Sequence, residues 1–384
     1  TLALAVLARQ ARIKRLVVPV GCGSLAANVE GVEVFEASRL VEVVALLRGR
    51  TGTGPCKPAP LLSEPYEESC ESVMGQPAAT RAVELSAAGG HSLLLSGPPG
   101  VGKTMLAKRL VGLLPDLALA EALEVAQIHS RIGSCQYLDG LPSRPPFRNP
   151  HHTISKAGLL GSARLLPGEV SLAHRGVLLL DELPEFSRAV LETLRGPLED
   201  RSVRVSRARG AVCFPAVCIL VATANPCPCG YLGHPSRACS CTDGQVHVYR
   251  RRISGPLLDR IDLRVDMEQR PLSAPNRSSL GEHVSVVRKR IGSARRLQAL
   301  RSSVSGASTN AECSPAYLLE KGGFGSATKR SLEKACDSLS LSARTRVRLV
   351  RVARTVADLD GSEKVGPEHL AEALSFRGKS WGQA

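Results

Sequence analysis

The chain has 384 residues, 43% of them hydrophobic and 22% charged, which suits a globular protein of two or three domains. Aromatic residues make up 3%, so the core must rest on Leu, Val and Ala, and no apolar run approaches the roughly 20 residues that span a bilayer. The net charge of +15 leaves two readings, a polyanionic partner such as nucleic acid or a solvated basic surface.

The opening Thr1-Leu2-Ala3-Leu4-Ala5-Val6-Leu7 has no basic stretch before it, and Arg9, Arg12 and Lys14 follow. It therefore predicts a helix of a truncated domain rather than a secretion signal. A start on Thr1 rather than methionine predicts further chain before it. Twelve cysteines in a large chain without a secretion signal predict a cytoplasmic protein whose thiols are reduced or metal-bound. Residues 1–50 alternate helix and strand, with strands over Leu16–Val20 and Val32–Phe35 and a helix over Leu40–Leu47. Residues 51–69 are rich in proline and read as a linker. A core over 70–270 and a helical domain over 271–384 follow.

Gln76–Ala88 predicts a helix. After it, Leu93-Leu94-Leu95-Ser96 and Gly97-Pro98-Pro99-Gly100-Val101-Gly102-Lys103-Thr104-Met105 give a strand, a glycine-rich turn and a helix start with the spacing G-x-x-x-x-G-K-T. Glycines let successive backbone N–H groups curl around a polyphosphate, and the helix N-terminus adds partial positive charge. Lys103 then reaches the β- and γ-phosphates of ATP, and the Thr104 hydroxyl ligates Mg²⁺.

Further along, His151 and His152 sit in a proline-flanked loop as metal ligands, DNA contacts or a hydrogen-bonded turn. Val177-Leu178-Leu179-Leu180 predicts a buried strand ending in two acids. Asp181 is placed to hold Mg²⁺ and Glu182 to orient or deprotonate the attacking water. Pro197–Ala216 alternates Val with Arg or Ser and predicts a β-hairpin whose tip is near Ala208-Arg209-Gly210. That hairpin is a pore-facing contact or a charged edge that blocks aggregation. The strand Cys218–Ala224 ends at Asn225, positioned to sense the γ-phosphate or the lytic water.

Cys227, Cys229, Cys239 and Cys241 form two C-x-C pairs. They read as a structural Zn²⁺ site, free thiols or a redox group; C-x-C departs from the commoner zinc spacing. Arg250-Arg251-Arg252 is a nucleic-acid contact or surface charge, and Arg260 is of the kind that oligomeric ATPases lend to a neighbour's γ-phosphate. The C-terminal region predicts helices over Glu282–Arg301, Ser342–Asp358 and Glu368–Ala373, with Arg344 near the start of the second.

The motifs GGHSLLLSGPPGVGKTMLA, FRNPHHTIS, PGEVSLAHRGVLLLDELPEF, PLEDRSVRVSRARG, ANPCPCGYLG and ISGPLLDRIDL resemble the AAA+ module of magnesium-chelatase-type ATPases, most of all the ComM/YifB-like group. The segment LSARTRVRLVRVARTVADL is similar to that family's C-terminal helical domain, and residues 1–50 resemble the end of a Lon-protease-like domain. The resemblance implies an α/β fold: a P-loop parallel-sheet core with a C-terminal helical lid, preceded by an α/β remnant. It also implies an ATP-driven homo-oligomeric ring, usually hexameric; no membrane partner is expected, since no apolar run is of bilayer length. In it Asn225 is the first sensor, Arg260 the finger acting across the interface and Arg344 the second sensor. The sequence departs from the family's glycine-rich run at Gly161-Ser162-Ala163-Arg164. Three functions compete: a DNA motor for branch migration during uptake, the motor subunit of a magnesium or cobalt chelatase, and an ATP-binding scaffold without turnover.

Overall fold

The structure is a computed structural model; it describes residues 1–50, 54–62, 76–133, 140–207, 210–269, 282–302 and 307–378. The chain divides into two compact units, Thr1–Pro65 with Asp116–Pro145, and Tyr66–Pro115 with Pro146–Ala384.

In the first unit α1 (Leu2–Gln10), β1 (Arg15–Pro19), α2 (Gly23–Ala26), β2 (Glu33–Ala37) and α3 (Leu40–Leu47) follow the expected alternation. Strands β1 and β2 pair in parallel. Residues 54–62, expected as linker, are tied to this unit: the Cys56 N–H donates to the Val34 carbonyl at 2.7 Å, and Ala59 N–H to that of Ser24 at 2.9 Å. Strand β3 (Leu61–Leu62) pairs with β5 (Leu141–Pro142). Helix α6 (Leu119–His129) adds Ala122, Val125 and Ala126 to the apolar cluster of Leu2, Ala5, Val18 and Val34. The segment 116–145, expected inside the 70–270 core, thus packs with the N-terminal residues.

In the second unit α4 (Pro77–Gly89) starts on a proline, whose missing N–H costs nothing there, and stops at Gly90 in the left-handed region. Strand β4 (Leu93–Ser96) leads through the glycine-rich turn into α5 (Lys103–Leu113). After β6 (Phe147–Arg148) come α7 (Lys156–Leu160), α8 (Glu169–Leu172) and β7 (Val177–Leu180). Short helices α9 (Arg188–Leu191) and α10 (Arg195–Asp200) precede β8 (Ser202–Arg207) and β9 (Gly210–Pro215). Strand β10 (Ile219–Ala224), α11 (Asp243–Arg250), α12 (Gly255–Leu258) and β11 (Leu263–Asp266) complete the core.

Five parallel strands form one sheet in the order β11-β4-β10-β7-β6. Both faces are covered, so the strands read as unbroken apolar runs rather than alternating ones. Leu93, Leu95, Val177, Leu179 and Val221 face one cluster, and Leu94, Leu178, Leu180, Leu220 and Ala222 face the other. That split is the period-two geometry of a strand. Hairpin β8–β9 turns Val203, Val205 and Phe214 into the second cluster and leaves Arg204 exposed, so only one of its faces is polar. The expected hairpin over Pro197–Ala216 is corrected at its start, because Pro197–Asp200 are helical; its tip at 208–209 lies outside the described residues.

The C-terminal helices are α13 (Val284–Ser302), α14 (Pro315–Lys321), α15 (Ser326–Ser338), α16 (Ala343–Leu359) and α17 (Pro367–Ser375). Their apolar faces share one cluster with α4, α5 and the sheet. Inside them Arg354, 1% exposed as a side chain, reaches Asp358 one turn on and donates to the carbonyls of Gly322 at 2.8 Å and Glu363 at 2.9 Å. Such a buried guanidinium is tolerable only with its donors satisfied. Among the described residues no helix is long and apolar enough to cross a membrane.

Candidate functional site

The parallel sheet brings the C-terminal ends of β4, β7 and β10 side by side, so the turn after each strand opens at one edge. At the first, Gly100 and Gly102 take positive φ (81° and 89°), a region an L side chain rarely enters. Gly97 lies against Met267, where an added Cβ would meet the Met267 carbonyl oxygen at 2.5 Å. Gly97, Pro98 and Val101 are buried; Pro99, Gly100 and Met105 face outward.

Lys103 opens α5 and turns back over the loop, its Nζ donating to the carbonyls of Gly97 (2.6 Å) and Pro98 (2.8 Å) and to Asn225 Oδ1 (3.0 Å). Burial pushes its ammonium down to about 8, against the opposing pull of Asp181 and Glu182. Thr104 Oγ1 donates to Asp181, 3.2 Å from both carboxylate oxygens. A hydroxyl and a carboxylate facing each other are the hard oxygen donors that Mg²⁺ takes, so this pair fits the expected metal.

Sequence reasoning missed Thr223. Fully buried in β10, it donates through Oγ1 to Asp181 Oδ1 at 2.5 Å and accepts the Glu182 N–H at 2.9 Å. It fixes the aspartate and the backbone of the glutamate together. Glu182 itself is exposed and adopts φ 56°, ψ 52°, the left-handed region that is costly for a residue with a Cβ. The only sequence signal was a hydroxyl inside an otherwise apolar strand, two residues before Asn225.

Arg260 is folded back on its own chain. It donates to the Pro256 carbonyl at 2.8 Å and pairs with Glu199, and its side chain is 11% exposed. Arg344 is exposed in the first turn of α16. The arginine that docks that helix on the core is Arg348, one turn later, whose Nη1 donates to the Ile261 carbonyl at 2.5 Å. A second tie runs from the buried His91, just before β4, whose Nε2 is 2.7 Å from Thr355 Oγ1 on α16. The His91 Nδ1 lies 3.5 Å from Asp262.

His151 and His152 form a local turn: His151 Nδ1 is 2.9 Å from Thr153 Oγ1, and the two rings stack at 4.0 Å. Arg250 and Arg252 are partly engaged by the carbonyls of Pro226 and Pro184, at 3.4 Å and 3.2 Å. The four expected thiols do come together: the sulfurs of Cys227, Cys229, Cys239 and Cys241 all lie within 4.8 Å of one another. The Tyr231 backbone holds the Cys229 thiol at about 5. At Cys239 the Cys241 backbone favours the thiolate, but burial and the neighbouring thiols outweigh it and push that thiol up to about 12.

Comparison with known proteins gives two family matches: magnesium chelatase, subunit ChlI, over residues 69–274, and magnesium chelatase, subunit ChlI C-terminal, over 281–377. An uncharacterized Mycobacterium tuberculosis protein is 44% identical over 365 residues, covering 94% of this chain and 72% of the relative. The uncharacterized protein YifB of Escherichia coli is 40% identical over 352 residues, covering 91% and 68%. The competence protein ComM of Haemophilus influenzae is 38% identical, covering 97% and 73%.

Proposed function

This chain belongs to the magnesium chelatase ChlI-type family of AAA+ ATPases, and from that premise we propose that it works as a ring of identical subunits, six in the commonest arrangement, that spends ATP to act on DNA. The observation that supports the nucleotide role is the meeting of Lys103, Thr104, Asp181 and Asn225 at three adjacent strand ends.

In this reading the loop 97–102 wraps the polyphosphate with backbone N–H groups, and Lys103 exchanges its two carbonyl partners for the β- and γ-phosphates. Thr104 and Asp181 hold Mg²⁺. The metal, when bound, neutralises charge on the phosphate oxygens. Glu182, with its backbone pinned by Thr223, orients and deprotonates the attacking water. Asn225 contacts both Lys103 and the γ-phosphate, so it registers hydrolysis. Arg260 leaves Glu199 to reach the nucleotide of the neighbouring subunit, and Arg344 adds charge from the lid side.

Three observations favour DNA as the polymer: the net charge of +15, the exposed Arg204 on the β8–β9 hairpin, and the designation of the Haemophilus relative as a competence protein. The family description favours a second reading, the motor subunit of a magnesium or cobalt chelatase. ATP turnover measured with forked DNA, with single-stranded DNA and with protoporphyrin separates the two. Stimulation by DNA alone is expected; stimulation by protoporphyrin alone would overturn the DNA reading.

A further inference from the structure

The strand that delivers Asn225 to Lys103 runs straight into the four-thiol cluster. Asn225 is followed by Pro226 and then Cys227, which is fully buried. The chain reverses tightly there, with the Gly230 N–H donating to the Cys227 carbonyl at 3.0 Å. Backbone N–H groups also point at sulfur: Leu232 N–H donates to Cys227 Sγ at 3.3 Å, and Cys241 N–H to Cys239 Sγ at 3.4 Å. Such donors stabilise thiolates and orient them, as the outer shell of a metal site does.

The sulfurs themselves match one small cation. Cys227 lies 3.4 Å from Cys229 and 3.6 Å from Cys239, and Cys229 lies 3.5 Å from Cys239. A Zn–S bond of about 2.3 Å places tetrahedral sulfurs about 3.8 Å apart, a few tenths of an ångström beyond these three separations and within the 4.8 Å that contains all four sulfurs. These separations exceed the S–S bond of about 2.05 Å, so the thiols are not disulfides. An iron–sulfur cube would have to sit among the four sulfurs and would hold them further apart than a single ion does.

The position of this cluster links it to the nucleotide loop. Gly230 has φ +85°, and a Cβ built on it would lie 2.9 Å from Pro99 Cδ and 3.9 Å from Asn225 Cγ. The Cys227–Gly230 turn, which carries the first two cysteines, is therefore seated on the outward-facing proline of the phosphate loop, and only glycine permits that approach. The far pair, Cys239 and Cys241, leads directly into α11, whose start is capped by Thr242 accepting the Gln245 N–H at 3.3 Å. One ion bound by all four sulfurs would close the excursion 227–241 at both ends.

We propose that Cys227, Cys229, Cys239 and Cys241 bind a single Zn²⁺, and that this ion braces the Cys227–Gly230 turn against Pro99 and so holds the phosphate loop in its nucleotide-binding shape. The shell is closed, with no open position for a substrate, so the metal is structural. The bracing half rests on the reading of residues 97–104 as the ATP loop; the metal half does not.

The test uses the full chain purified under reducing conditions. Metal analysis is expected to give one zinc per chain, and Cys229→Ser/Cys239→Ser is expected to carry none. Because that variant can misfold, zinc is also stripped from wild-type protein with a thiol-directed mercurial and a chelator, then restored as Zn²⁺ with excess thiol. Stripped protein should bind a fluorescent ATP analogue at least about tenfold more weakly, as misplaced positioning groups do, and regain affinity with zinc. Gly230→Ala keeps all four ligands, so it should retain one zinc per chain yet show the same loss of affinity. Absence of zinc that added Zn²⁺ does not cure, or paired disulfides found by mass under reducing conditions, would overturn the metal site. Equal nucleotide affinity in stripped, restored and Gly230→Ala protein would overturn the bracing. Zinc-loaded wild type that binds no nucleotide at all would overturn the ATP reading, and the bracing with it, while the zinc count still decides the metal site.

Discussion

Lys103 Nζ and Asn225 Oδ1 lie 3.0 Å apart, joining the first residue of the loop's helix to the residue just after the neighbouring strand. The ammonium is buried enough that its proton is held only to about 8. An anionic nucleotide requires that proton, so affinity should be flat below about pH 7 and fall above about pH 8, approaching tenfold per unit. The nucleotide-free fold shifts the opposite way. Its lowered lysine binds fewer protons than the unfolded chain between about 8 and the ordinary lysine value, so that contribution to stability rises with pH. Titrating a fluorescent ATP analogue from pH 6 to about 9.5 checks the binding limb, with Lys103→Ala expected to abolish binding at every pH. A pH-independent affinity in wild type would contradict the assignment of Lys103.

Thr223→Val keeps the shape of the buried residue but removes the hydroxyl shared by Asp181 and the Glu182 N–H. A buried donor left without a partner costs about 1–3 kcal/mol. Turnover should drop about tenfold or more while nucleotide still binds, because the loss falls on the groups that act on the metal and the water. An unchanged kcat would show that this strand hydroxyl is not part of the site.

Arg260 is paired with Glu199 within the single chain. If it serves a neighbour's nucleotide, Arg260→Ala should bind ATP as wild type does but lose about 10³-fold or more in turnover. Wild-type activity per subunit should also fall on dilution as rings dissociate. Constant specific activity down to the monomer, measured alongside sedimentation, would contradict a shared site.

Arg354→Met should destabilise the helical domain. Arg301 and Asn310 still hold Asp358, but the carbonyls of Gly322, Ser362 and Glu363 lose their buried donor. Removing one partner from such a network costs about 3–5 kcal/mol. A fall in Tm on the order of 10 °C is expected by calorimetry, and a change under about 2 °C would refute it.

The loop was legible because G-x-x-x-x-G-K-T fixes backbone conformation and chemistry within one short stretch, and local sequence encodes both. The acidic pair and Asn225 were legible from apolar runs ending in polar residues. Thr223 was not, since a hydroxyl in a buried strand has the same sequence signature whether it caps a neighbour or serves a site. Arg354 is similar: its i, i+4 spacing from Asp358 resembles a surface pair, and only tertiary packing reveals that both are buried. The docking of 116–145 with residues 1–62 depends on contacts distant in sequence, which periodicity does not register. Pro197–Asp200 were expected in the hairpin because valine–arginine alternation follows immediately, but a proline early in a helix is equally at home.

Glu182, held in a strained backbone conformation beside Asp181, is the residue proposed to act on the water that attacks ATP. Phosphate release by Glu182→Gln, measured with Mg²⁺ and ATP beside wild type, tests that role most directly. Nucleotide binding is expected within about twofold of wild type, with turnover lowered by about 10²–10⁴-fold. Hydrolysis at the wild-type rate would contradict it.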